Sequence, residues 1–190
     1  EVNIFILDKS IDEAVRFHCD KHVVKMPLET VQMLCTVQWT LGNTAPYKPV
    51  HQKHPCTLWA GKTRRNYSWL WVFGLALCQE YSFRYGRKHK CVDVLYDLDL
   101  QKWNDLPEGD LTPFYQAMPG EYKHDDPVVA YRRYYQNEKA YFAKWTSRPT
   151  PTWMESYVNQ RVRVDNTPLK GDKGSVLKAV DLSSTSSLGN

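Results

Sequence analysis

Apolar positions recur along this chain mainly with the helical period, and no stretch alternates strictly enough to predict a regular sheet. An apolar run, Val2 to Leu7, comes first and reads as a short strand or an extended lead-in. Ser10 followed by Glu13 forms a capping box that opens a helix from Ile11 to about Met26. Pro27 fits the end of that helix or the first turn of the next, which runs from Leu28 to Leu41 and stops at Gly42. Asn43 to Lys53 is a polar loop carrying Pro46 and Pro49. Helical patterning resumes after Pro55, with an irregularity at Gly61, and continues to Tyr85, where Gly86 ends it. A basic turn follows at Arg87-Lys88-His89-Lys90, and Cys91 to Trp103 leaves room for one more helix. Leu106 to Lys123, rich in Pro, Gly and acids, predicts a long ordered loop of the kind that often carries function. Asp126-Pro127 caps a helix to about Trp145; Arg148-Pro149-Thr150-Pro151 breaks it, and a short segment from Trp153 to Val158 follows. The pattern predicts an all-α fold. It is a compact single-domain helical bundle over residues 1–165, with a short extended N-terminal segment and long loops. From residue 166 to 190 the aromatics disappear and Gly and Ser take over, which predicts an arm or disordered tail.

Composition narrows this little. Aromatics are 13% of 190 residues and the net charge is +4, so a polyanionic partner is permitted but not demanded. The five cysteines, Cys19, Cys35, Cys56, Cys78 and Cys91, contain no CxxC pair and mostly sit in apolar contexts. They predict reduced core thiols and a cytoplasmic protein, with no disulfide framework. No signal peptide is visible and no apolar run is long enough to span a bilayer, so no membrane partner is expected.

The chemistry concentrates on the first helix. On a helical wheel Ile11, Val15, Cys19 and Met26 share a face; His22 falls inside it and His18 at its edge. His18, Lys21, His22 and Lys25 then form one ridge beside the core, while Asp20 points elsewhere and the next helix supplies Glu29 and Gln32. Lysines at a core boundary lose hydration unless an anion or carboxylate meets them. Satisfied histidines with snorkelling lysines explain the same ridge. His18 and His22 have the spacing of a metal pair, and His51 and His54 could add ligands, but no acid follows His18 as metalloprotease chemistry needs. No metal or cofactor is expected.

Two further clusters mix cations with aromatics. One holds His54, Trp59, Arg64, Arg65, Asn66, Tyr67 and Trp69; the other holds Tyr131, Arg132, Arg133, Tyr134, Tyr135 and Lys139. Cations suit phosphates and aromatic faces suit bases, so three such clusters favour a phosphate-bearing ligand. No Walker, GxGxxG, GxSxG or zinc-finger spacing is present.

Asp20-Lys21-His22-Val23-Val24-Lys25-Met26, His54-Pro55 with Trp59, and Tyr131-Arg132 with Tyr134, Tyr135 and Lys139 together resemble a family of small phage proteins, from about Asn3 to Trp153. The order of landmarks is also similar to the phage pyrimidine-dimer DNA glycosylases. The shared features are a short apolar start, His18 with Pro27 nine residues on, a long central helix, and Arg148-Pro149-Thr150 before Trp153. That resemblance implies a compact all-helical enzyme that attacks the sugar carbon with the chain's N-terminal amine, helped by a glutamate two residues before the proline. This chain has Lys25 at that place, so Glu29 or Asp20 takes the role or the chemistry differs. A lysine beside a histidine can itself form an imine. A ridge of cations equally suits a pyrophosphate leaving group, as in the phage enzymes that hypermodify thymine with an amine.

The resulting expectation is a phage enzyme acting on pyrimidine bases in DNA in the host cytoplasm, by glycosylase/lyase or transferase chemistry. Its catalytic residues are Lys25, His22, Glu29, Asp20 and Lys21. Its substrate and phosphate contacts are His18, His54, Arg64, Asn66, Tyr131, Arg132, Tyr135 and Lys139. DNA is the expected partner, with an amine or amino-acid donor if the chemistry is transfer. The alternatives are a non-catalytic nucleic-acid binder and a metal-dependent nucleotide hydrolase.

Overall fold

A computed structural model describes residues 2–99 and 103–165, the side chains of 161–165 excepted. The tail expected over 166–190 lies outside the described residues. Among those residues there are seven α-helices and no strand: α1 (Ile11–Phe17), α2 (Asp20–Thr40), α3 (Pro55–Lys62), α4 (Arg64–Tyr85), α5 (Cys91–Asp99), α6 (Pro127–Tyr134) and α7 (Glu155–Asp165). The all-α expectation holds. So does the extended start: Val2, Ile4, Phe5, Ile6 and Leu7 thread through the core without a partner strand, all less than 5% exposed.

Where the sequence predicts one helix from Ile11 to Met26, the chain breaks at His18 and Cys19. In an unbroken helix the His18 N–H would donate to the Ala14 carbonyl. Here the His18 ring takes that carbonyl, Nδ1 to O at 2.6 Å, and the backbone turns extended at ψ 132°. Helix α2 then begins at Asp20 and runs straight through Pro27, which neither ends nor starts a helix. An interior proline removes one hydrogen bond and costs about 3 kcal/mol; burial of Met26, Pro27, Glu29 and Thr30 in the same turns offsets it.

Other boundaries shift by similar local chemistry. Thr63, not Gly61, separates α3 from α4, because its hydroxyl accepts the Asn66 N–H and caps the new helix. Gly61 instead packs under Val37, where a Cβ would lie 3.3 Å from that side chain. Gly86 ends α4 in the left-handed region at φ 65°, and Asp126 caps α6 through the Val128 N–H, both as expected. The helix predicted to reach Trp145 stops at Tyr134 and widens into one π turn, Tyr135–Lys139. Long helices α2 and α4 form the centre of the bundle, with Gly74 of α4 against Thr30 of α2. The long loop is ordered and lies over α3 and α4: Thr63 Oγ1 donates to Asp110 O, the Thr112 N–H to Asn66 Oδ1, and Trp59 Nε1 to Pro113 O. All five cysteines are buried and none is disulfide-bonded. No described helix is long and apolar enough to cross a membrane.

Candidate functional site

The break at His18 turns both histidines inward. His18 is fully buried, and desolvation lowers its pKa to about 4. His22 stacks on Phe5 with ring centroids 4.4 Å apart, and burial holds its pKa well below the usual imidazole range. The nearby His18, Lys139, Lys25 and Lys21 push it the same way. His22 is therefore neutral. The Tyr135 hydroxyl lies 2.6 Å from His22 Nδ1 but 3.5 Å from Cys19 Sγ, so its hydrogen is assigned to the imidazole. That leaves the ring's own hydrogen on Nε2, a donor.

Around His22 a recess of about 180 Å³ opens between three segments. Helix α2 supplies His22, Lys25, Met26 and Glu29; the extended start supplies Asn3 and Phe5; Tyr134 and Lys139 come from α6 and the π turn. Lys25 Nζ lies 3.4 Å from Glu29 Oε1, one turn along the helix. The lysine side chain is 58% exposed and the glutamate 8%. Desolvation raises the Glu29 carboxyl above the usual carboxylate range, and Lys25 is the strongest influence pulling it back. Glu29 Oε2 is buried and has no hydrogen-bond partner. Lys139 lies over the Tyr134 ring at 4.9 Å.

The recess thus gathers Lys25, His22, Glu29 and Lys139 from the residues the sequence singled out. Two more support it from behind: Tyr135 through His22, and Tyr131, whose hydroxyl lies 2.8 Å from Asn3 Oδ1. The rest are placed elsewhere. Lys21 sits outside the recess over Phe142, at 4.8 Å. Asp20 is committed to structure: it meets Arg84 at 3.0 Å and accepts both the N–H and the hydroxyl of Thr146. His54 caps α3 by accepting the Cys56 N–H. Arg64 faces Glu108 and the Asn104 carbonyl; Asn66 is buried and donates to Trp59 O and Thr112 Oγ1. Arg132 donates to Leu7 O and Asp8 and lies between Phe17 and Trp153. Neither His54 nor Arg132 lines the recess. Among the described residues no group of three or more His, Cys, Asp or Glu is placed to hold a metal ion.

Sequence reasoning missed Asn3 and Phe5, and it placed Tyr134 in a cation–aromatic cluster without giving it a role in the site. The available signal was that Asn3 is the one polar residue in the run Val2 to Leu7. It also missed a second cavity of about 840 Å³ between α3 and the long loop, walled by Leu58, Trp59, Phe114 and Tyr115 and edged by Lys62 and Lys123. Comparison with known proteins gives no match, whether to a family model, a curated protein or a solved structure.

Proposed function

We propose that the recess is the catalytic centre of an enzyme acting on pyrimidine nucleotides in DNA, of the glycosylase/lyase type. The observation that carries this is the Lys25–Glu29 pair: a primary amine open to solvent, 3.4 Å from a buried carboxyl with an unpartnered oxygen. Such a pair suits imine-forming cleavage. Glu29, made more basic by desolvation, takes a proton from the Lys25 ammonium. The amine then attacks the sugar C1′, the C1′–base bond breaks, and the base leaves with its electron pair. Glu29 passes the proton it took to the departing base, and the His22 Nε2–H donates a hydrogen bond towards that base. With Asp20 committed to Arg84 and Thr146, Glu29 is the carboxylate that stands in where Lys25 replaces an acid. Lys139 supplies a cation for an adjoining phosphate.

A second reading is favoured by one observation: Lys25 and Lys139 reach one recess from separate elements, as a pyrophosphate leaving group needs. Borohydride reduction in the presence of DNA carrying an abasic site separates the two. Glycosylase/lyase chemistry gives a covalent protein–DNA adduct that maps to Lys25 and is lost in Lys25→Ala. Glu29→Gln lowers the trapping rate by about 100-fold or more. An absence of adduct, with turnover of pyrophosphorylated hydroxymethyl-uracil DNA, supports transfer instead. Neither activity, with DNA binding intact in both variants, overturns the enzymatic reading.

A further inference from the structure

We propose that the cleft between α3 and the long loop binds a single-stranded DNA segment. It holds an unstacked base against its aromatic wall while the reacting sugar carbon of the adjoining nucleotide reaches the recess; this inference rests on the catalytic reading above. Size argues first. Ligand sites usually span about 300–1,000 Å³. The recess, at about 180 Å³, admits a reacting centre but not the rest of a nucleotide strand, whereas the cleft, at about 840 Å³, has the needed room.

Its lining has the right chemistry. Trp59 and Phe114 form a fixed wall, with ring centroids 5.2 Å apart and the indole N–H donating to Pro113 O at 3.0 Å. Tyr115 is 43% exposed and Leu58 59%, so both present apolar surface to the open cleft. Aromatic faces stack on any base. Lys62 and Lys123 stand on the cleft against a single acid, Asp125, which suits phosphate at the edge. A peptide adding as a strand finds little here, because the Pro113 carbonyl is taken by Trp59 and the Thr112 N–H by Asn66.

Register argues last. Asn3 lines the recess, and its side-chain amide donates to Ala117 O at 2.9 Å. The Tyr131 hydroxyl lies within 2.8 Å of both Asn3 Oδ1 and Tyr115 O, and accepts the Ala117 N–H. The loop segment that carries Tyr115 is thereby pinned to the recess wall, which holds the cleft and the recess in fixed register.

The test is binding of a fluorescein-labelled oligothymidylate, read by anisotropy on the full chain. Tyr115→Ala and Leu58→Asp are expected to weaken binding by about five-fold or more each. Both cleft positions are exposed, and an unchanged thermal melt confirms that the variants are folded. A wild-type chain that does not bind the oligonucleotide, or cleft variants that bind as tightly as wild type, overturns the proposal. Borohydride trapping reads the other claim separately. Trapping with unaltered binding in the cleft variants removes the cleft and keeps the catalytic centre. Weakened binding in those variants without any trapping keeps the strand-binding cleft and removes the catalytic centre.

Discussion

His18 shows how much one side chain decides. It sits where a helix would continue, captures the carbonyl that the helix needs, and so creates the break that buries its own ring and its neighbour's. The price is a neutral imidazole with Nε2 unpartnered in the core. Its pKa is about 4 in the folded chain against 6.5 for an exposed histidine. The unfolded chain therefore takes up a proton first as pH falls. The stability is fully present above pH 6.5 and is lost on acidification towards pH 4, by about 3 kcal/mol for this one group. Urea titrations across that range are expected to show the decline, and His18→Leu to flatten it. An unchanged slope in the variant would mean that another group drives it. At this scale the sequence was partly legible. Lys25, His22 and Glu29 lie within eight positions of one another, so their grouping could be read directly. Asn3 and Phe5 could not, since an apolar run looks the same whether it fills a core or walls a recess.

At the scale of elements, caps were legible and interruptions were not. Ser10, Asp126 and Gly86 act through bonds to residues within four positions, so their meaning travels with the local sequence. Pro27 passes through α2, and the π turn forms after α6, because packing against distant segments decides both. The packing of α2 on α4 gives a direct measure of that tertiary influence. A Cβ on Gly74 would come within 2.8 Å of Thr30 Cγ2 and 3.3 Å of Leu95 Cδ2. Alanine would gain about 1 kcal/mol of helix propensity. Overpacking a buried contact costs about 1–3 kcal/mol. Gly74→Ala is thus expected to lower the melting temperature, and adding Thr30→Ser, which removes the offending methyl, to restore part of it. A more stable single variant would show that the two helices part without penalty.

Across the whole molecule, one buried guanidinium joins segments far apart in the chain. Arg84 of α4 reaches Glu80 on its own helix, Asp20 at the head of α2 and the Arg16 carbonyl at the end of α1. Arg148 closes the cluster on Glu80 from beyond the π turn, at 2.8 Å. The Arg84 side chain is fully buried, and removing one member of such a cluster strands its partners' charges. Arg84→Met is expected to cost about 3–5 kcal/mol in chemical denaturation. A loss below about 1 kcal/mol would mean that water reaches the carboxylates and takes over the role. Beyond the i,i+4 pair of Glu80 and Arg84, none of this network is visible as a pattern, because its members lie up to 132 positions apart and follow no period. The large cleft was hidden in a different way: Trp59 and the long loop could each be singled out, but no periodicity shows that α3 and the loop face one another across a cavity.

The wide turn at Tyr135–Lys139 makes this stretch sensitive to length more than to spelling. A π turn is an α turn with one residue added, and each residue in a helix advances the chain by about 100°. Upstream, Tyr131 is fixed to Asn3; downstream, Lys144 and Thr146 are fixed to Asp20. Deleting any one of the five residues would restore ordinary winding and swing everything beyond it by more than a quarter of a revolution. Lys139 would leave the recess, and the downstream clasp on Asp20 would miss its mark. Between those two anchors the number of residues is itself the message: a ruler that tolerates many relabelled divisions but no missing one.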